Sequence, residues 1–268
     1  MGFFAWLKSL RKPKPIKLGL ALGSGGAKGF AHLGALRAFE ENGIEFDIVG
    51  GTSIGSIVGA FYADGYSSTD IFELLKSVDV GEIKNFFMIG MDTSGLMSVI
   101  DKTIGEKHIE DLKKPFVAVA TEIDSGLAHD FQTGRVAQAL SASASIPPFF
   151  KPVVIGNKRF IDGAFSDSVP ADFVKKMGAD YVVGIDLSTN EVKSTLMSKL
   201  FPTYEKKVED PKKPGYENAD VMIHPDLNGY NSTSFKKAGN MYEIGYNAAI
   251  SSMIKIKSDI EKLRKRKK

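Results

Sequence analysis

Cysteine is absent from this chain of 268 residues. That excludes a disulfide framework, a thiolate metal site and a cysteine nucleophile, and it fits a reducing, cytoplasmic compartment. Histidine occurs four times, at positions 32, 108, 129 and 224, with no H-x-x-H or H-E-x-x-H spacing. A metal hydrolase is therefore not expected. No G-x-x-x-x-G-K-[ST] stretch is present, which removes the P-loop reading. No apolar run approaches the ~20 residues of a membrane span. Internal repeats are lacking too. What remains is a chain 43% hydrophobic and 25% charged with 27 glycines, enough for one large α/β domain.

The net charge of +3 is unevenly placed. Residues 1–17 carry +5 and residues 255–268 carry +6, so the body between them is −8. Two basic ends on an acidic body imply an anionic partner, either a phospholipid surface or a nucleic acid. Residues 262–268 have no aromatic side chain among their cations, which argues against nucleic acid. On a helical wheel Phe3, Phe4, Trp6, Leu7 and Leu10 cluster, with Lys8 and Lys12 opposite. That is the make-up of an interfacial helix, a reversible anchor on an anionic membrane at its inner face. A secretory signal is not expected, because the charges follow the apolar run. Pro13 and Pro15 close the segment as a stiff linker.

Apolar and β-branched runs predict strands over 16–22, 46–50, 115–121, 128–131, 181–185 and 220–224, with a hairpin over 153–161 broken at Gly156-Asn157. Helical spacing predicts helices over 30–42, 54–63, 68–78, 94–104, 135–145 and 169–177, and a C-terminal helix from about 235. Strands alternating with helices imply an α/β fold, three layers α/β/α with a mostly parallel central sheet. The organisation expected is a basic amphipathic segment over 1–15, a catalytic domain over 16–254 and a basic helical extension over 255–268. Residues 65–113, with an apolar stretch at 86–89, suit a cap beside Ser53, which follows the predicted strand 46–50, or ordinary surface helices. Residues 188–218, rich in lysine and proline, read as a mobile insertion with one short helix over 196–201. In the C-terminal helix Tyr242, Tyr246, Ala249, Met253, Ile256, Ile260 and Leu263 recur in a seven-residue pattern. Its first half is expected on the sheet. From Ile256 onward the stripe is expected to meet a second protomer or a lipid interface.

Three motifs carry chemistry. Gly51-Thr52-Ser53-Ile54-Gly55 lies between a predicted strand and a predicted helix, the context that gives G-x-S-x-G its meaning as a nucleophile elbow. The same residues also suit a strand-to-helix turn without chemistry. Gly23-Ser24-Gly25-Gly26-Ala27-Lys28-Gly29 opens a helix. Glycine N–H groups there could face a developing oxyanion; a dinucleotide loop with Asp47 as its ribose acid is the alternative. Asp162-Gly163-Ala164 follows the hairpin and reads either as a turn or as a catalytic acid. The order Ser53, Asp162, His224 also matches an α/β-hydrolase triad.

Together with Ser141-Ala142-Ser143-Ala144-Ser145-Ile146-Pro147, these stretches resemble the patatin-like phospholipase family, specifically its small bacterial members, over about residues 16–254. The resemblance implies a patatin-like fold. It implies a Ser-Asp dyad of Ser53 and Asp162, oxyanion donors at Gly25 and Gly26, and a basic motif position at Lys28, with Gly51, Gly55 and Gly163 as supporting glycines. Ser24 stands where the family often has a third glycine. The implied activity is hydrolysis of acyl esters of phospholipids or lysophospholipids, with no metal and no cofactor. The competing reading is a catalytically idle lipid- or nucleotide-binding protein of the same fold.

Overall fold

The computed structural model describes residues 15–77, 92–188 and 210–267. The amphipathic segment up to residue 14, the apolar stretch 86–89 and the expected helix 196–201 lie outside the described residues. The chain order is β1 (Leu18–Leu22), α1 (Phe30–Glu41), β2 (Ile48–Thr52), α2 (Ile54–Ala63), α3 (Ser68–Ser77), α4 (Ser94–Ile104), β3 (Phe116–Glu122), β4 (Ala128–Phe131), α5 (Val136–Ser143), β5 (Val153–Ile155), β6 (Lys158–Asp162), α6 (Ala171–Lys176), β7 (Tyr181–Ile185), α7 (Lys213–Asn218), β8 (Val221–Ile223) and α8 (Ala238–Arg266). Among the described residues no helix is long and apolar enough to cross a membrane.

One eight-stranded sheet runs β5-β6-β3-β2-β1-β7-β8, with β4 also on β3. Strands β3, β2, β1, β7 and β8 are parallel; β4, β5 and β6 enter antiparallel. The alternation of β1 explains the three layers. Leu18, Leu20 and Leu22 join the core beneath α1, α2 and α5, whereas Ala21 joins Val169 and Val174 under α6. Position 19 must be glycine for α6 to sit this close, since a Cβ there would lie 2.4 Å from Val174 Cγ1.

Pairing along β3 sets the site. β4 takes one edge of β3 at Ala118–Thr121. The other edge is shared: β2 pairs with Phe116–Val119 and β6 with Ala120–Glu122. β2 ends at Thr52 against Val119, and β6 ends at Asp162 against Ala120. The two strands therefore meet head to head, and Ser53 and Asp162 are neighbours despite standing 109 positions apart in the sequence.

The C-terminal helix corrects two expectations. α8 lies mainly on α1 rather than directly on the sheet. Its backbone approaches α1 so closely that a Cβ on Gly34 would fall 1.8 Å from Tyr242 O, and one on Gly245 would fall 1.9 Å from Ala31 O. The stripe beyond Ile256 is not left for a partner. Ile256 and Ile260 are buried and Leu263 packs against the same core, so the apolar seam is spent within the chain. A third correction concerns the lysine-rich insertion, whose end forms α7. There Pro214 suits the first turn, and Gly215 rests on Val169, where a Cβ would come within 2.3 Å of the carbonyl oxygen. Gly245→Val at the α1–α8 crossing should cost about 3 kcal/mol. Thermal unfolding should show Tm lowered by roughly 5–10 °C; an unchanged Tm would mean that the helices separate freely.

Candidate active site

The elbow is built by sterics. Ser53 has φ 57° and ψ −126° and is the one non-glycine residue at positive φ among the described residues. Such a conformation persists only where the surroundings impose it. They do so through close backbone packing. A Cβ on Gly51 would fall 2.2 Å from Gly55 O, and one on Gly55 would fall 2.2 Å from Leu22 O. Hydrogen bonds complete the clamp. The Ser53 N–H donates to Ser143 Oγ (2.9 Å), which donates to Val119 O (2.6 Å). Ser56 Oγ donates to Ser53 O (2.7 Å), and Thr52 Oγ1 donates to Asp167 O (2.9 Å).

The Ser53 hydroxyl donates to Asp162 Oδ2 at 2.5 Å. The other carboxylate oxygen accepts the Ala164 N–H at 2.9 Å. Asp162 is held through its backbone as well, with its N–H on Ser145 O (3.0 Å) and its carbonyl accepting from Thr121 Oγ1 (2.9 Å). Gly163 must be glycine, because a Cβ would lie 2.2 Å from Val119 O. The carboxyl is buried, and that burial pushes its pKa up to about 6, against the opposing effect of the hydrogen bonds from Ser53 and Ala164. A carboxylate held close to neutrality while touching a hydroxyl is a competent base.

The glycine loop lies against the same elbow. A Cβ on Gly29 would meet Ile54 Cγ1 at 2.3 Å, and one on Gly55 would meet Gly23 O at 2.7 Å. Gly26 has φ 56°, the left-handed region that favours glycine. The Gly23, Ser24 and Ala27 N–H groups are spent on Ile185 O, Ser168 O and Ser232 O. The Gly25 and Gly26 N–H groups meet no acceptor among the described residues. Lys28 is buried, and desolvation lowers its pKa, with Asp186 opposing and Lys212 adding to the shift.

The remaining sequence candidates fall elsewhere. Asp47 accepts the Leu18 N–H at 2.7 Å, at the start of β1, whereas the glycine loop follows its end. It cannot be the ribose acid of a dinucleotide site. His32 is fully buried with Nε2 on Gly23 O (2.7 Å); burial lowers its pKa to about 4, so the neutral ring donates and pins the loop. His129 packs on Phe131 and Phe160, and His108 is exposed near Glu110. His224 contacts Tyr216 Oη (3.2 Å to Nε2) and lies 3.9 Å from Asp186. No imidazole fits between Ser53 and Asp162 at 2.5 Å. The supporting hydroxyls of Thr52, Thr121 and Ser143 had a signal in the sequence: small hydroxyl residues at strand ends and in the Ser-Ala-Ser-Ala-Ser helix.

Comparison with known proteins identifies the family and the fold. Residues 20–175 match the family described as Patatin-like phospholipase. Lysophospholipase nte1 of Aspergillus fumigatus is 27% identical over 281 residues, covering 90% of this chain and 18% of that protein. Lysophospholipase NTE1 of Pyricularia oryzae is 34% identical over 182 residues, covering 64% of this chain and 12% of that protein. The chain thus spans under a fifth of the length of these relatives. Among solved structures, VipD from Legionella pneumophila has a TM-score of 0.57 at 16% identity, covering 89% of this chain and 67% of that one, a likeness of fold. The family match takes in the glycine loop, the serine elbow and the Asp-Gly turn that the sheet brings together, and the chain belongs to the patatin-like phospholipase family.

Proposed function

We propose that this protein is a serine lipid acyl hydrolase acting on phospholipids or lysophospholipids through a Ser53–Asp162 dyad. Ser53 Oγ attacks the ester carbonyl while Asp162 takes the hydroxyl proton. The tetrahedral oxyanion is received by the Gly25 and Gly26 N–H groups. Asp162 then returns the proton to the leaving alcohol, and an acyl-serine remains. Water, deprotonated by the same carboxylate, attacks that ester; Asp162 returns the proton to Ser53 Oγ as the acyl–serine bond breaks and the fatty acid leaves. The observation that carries the reading is the 2.5 Å hydrogen bond from a conformationally strained serine to a buried carboxylate. The unspent loop N–H groups support it, since a lost oxyanion donor typically costs ~3–4 kcal/mol of transition-state stabilisation. Relatives named lysophospholipases favour single-chain lipids among the substrates.

The pH profile tests the base. Only ionised Asp162 can accept the proton, and its pKa of about 6 sets where that form appears. For a soluble p-nitrophenyl acyl ester, kcat/KM should rise through about pH 6 and level off above it. At pH 4 it should stand at roughly 1% of the plateau. A flat profile between pH 4 and 8 would remove Asp162 from the base role.

A further inference from the structure

Two buried carboxyl groups have no part in the dyad. Asp167 is 1% exposed, and neither of its carboxyl oxygens meets a hydrogen-bond donor among the described residues. Asp172, in the first turn of α6, accepts the Lys176 ammonium at Oδ2 (2.7 Å), whereas its Oδ1 is buried and equally unmatched. The three orphaned oxygens belong to one place, since the Asp167 and Asp172 carboxyls stand within hydrogen-bonding reach of each other. Two carboxylates cannot bond to one another, but a carboxylic acid and a carboxylate can. A proton on Asp167, donated to Asp172 Oδ1, supplies the missing donor and removes a buried charge at once. Burial and the neighbouring Asp172 both push the Asp167 pKa well above the ordinary carboxylate range, against the opposing effect of the Val169 N–H and the Lys176 ammonium. Asp172 and Lys176 are the charged groups that bear on Asp167, whereas β2 and the glycine loop reach the Asp167-Ser168 dipeptide with the hydroxyls of Thr52 and Ser24.

The same dipeptide joins all three parts of the site. The Asp167 N–H donates to Gly163 O (2.8 Å), directly after Asp162. The Asp167 carbonyl accepts from Thr52 Oγ1 (2.9 Å), directly before Ser53. The Ser24 N–H donates to Ser168 O (3.0 Å), and the Ser24 and Ser168 hydroxyls lie 3.1 Å apart. The Asp167 side chain ties this junction to α6. That helix is seated firmly under β2, where a Cβ on Gly50 would fall 2.5 Å from Val174 Cγ2. The acid turn, the serine elbow and the glycine loop are thus fastened to a rigid element through one carboxyl group that makes and breaks no substrate bond.

We propose that Asp167 is a positioning residue: held as a neutral acid bonded to Asp172, it keeps the Asp162 turn, the Ser53 elbow and the glycine loop in register. Its leverage comes from geometry. Nucleophile, base and oxyanion donors must converge on one carbonyl, and a misplacement of about 1 Å costs on the order of 100-fold in rate. The effect on turnover rests on the dyad reading. The protonation of Asp167 does not, and it is measured separately.

The test joins infrared spectroscopy to kinetics on the full chain. At pH 7 the difference spectrum of wild type minus Asp167→Asn should show a carboxylic-acid C=O band that moves to lower frequency in D2O. Asp162 is present in both proteins and cancels. Asparagine is neutral, and its amide N–H can donate to Asp172 Oδ1, so Asp167→Asn should fold and keep most of the wild-type kcat/KM on a soluble p-nitrophenyl ester. Asp167→Ala removes the donor; its kcat should fall about 100-fold with KM little changed. Asp167→Ser, whose hydroxyl is too short to reach Asp172, serves where alanine prevents folding and should show the same loss. Absence of the acid band, an Asp167→Asn protein that is inactive or unfolded, or a donor-free variant with wild-type kcat and only a lowered Tm would each overturn the proposal. Turnover that survives Ser53→Ala would refute the dyad, and the positioning role with it, whereas the band decides the Asp167 proton in either case.

Discussion

Replacing Ser53 by alanine should lower hydrolysis of a p-nitrophenyl acyl ester by about 10⁴-fold or more, with the fold retained. The size of the loss follows from the role proposed: without Oγ no acyl-enzyme can form, and groups that act as a unit fail together. Stability should fall modestly at the same time. Ser53 Oγ is the donor to Asp162 Oδ2, and a buried acceptor left without its donor costs about 1–3 kcal/mol. Circular dichroism and thermal unfolding would separate the two effects. A Ser53→Ala protein with near wild-type turnover would return the elbow to the status of a structural turn.

Asp162→Asn should also remove activity by about 10⁴-fold, but its effect on stability should have the opposite sign above pH 6. The carboxyl has a pKa of about 6 in the folded protein against an ordinary 3.8. A raised pKa in an acid means that the folded state prefers the protonated form. Below pH 3.8 the group is neutral in both states and contributes nothing. Between 3.8 and about 6 the unfolded chain ionises first, and stability drops by ~1.4 kcal/mol per unit. Above 6 the loss is complete at about 3 kcal/mol. Asparagine carries no charge and escapes that loss. The difference in unfolding free energy between Asp162→Asn and wild type should therefore grow in favour of the variant from pH 4 to pH 6 and then hold. A difference independent of pH would mean that Asp162 is not held in its charged form at the expense of the fold.

Much of this site was open to sequence reading because sterics wrote it in glycines. Gly51, Gly55 and Gly163 each face a carbonyl oxygen at 2.2 Å from where a Cβ would sit, so the motif spacing is a direct record of backbone approach. The strand runs were legible for a similar reason: β1, β2 and β7 are buried on both faces and read as continuous small or apolar stretches. The pairing of Ser53 with Asp162 was not legible from spacing. It depends on β2 and β6 sharing one edge of β3 from opposite directions, a tertiary register that no local pattern encodes, and it entered through the family resemblance alone.

Two other features show where local reading stops. The seven-residue stripe of α8 was visible, yet its partner was not, because periodicity reports an apolar face without saying what covers it. The cover is the chain's own core, and small residues at Gly34 and Gly245 let α1 and α8 close on each other. Ser143 and Ser145 lie in a stretch of small residues whose spacing does not name an acceptor. The hydroxyls of Ser143 and Ser145 in fact have specific acceptors: Ser143 links the Ser53 N–H to Val119 O, and Ser145 Oγ donates to the Ser141 carbonyl oxygen at 2.9 Å. The contact of the Lys17 N–H and the Lys267 ammonium with Asp180 was equally hidden, since residues 17 and 267 come together only once β1, β7 and α8 are assembled.

The central claim is that Ser53 is a nucleophile activated by Asp162. The most direct measurement is covalent capture with a fluorophosphonate, read by peptide mass spectrometry. The protein should take up one phosphonyl group, on the peptide containing Ser53, and Asp162→Asn should slow that reaction by orders of magnitude while His224→Ala leaves its rate unchanged. An adduct on another serine, no adduct on folded protein, or a rate that depends on His224 and not on Asp162 would contradict the account.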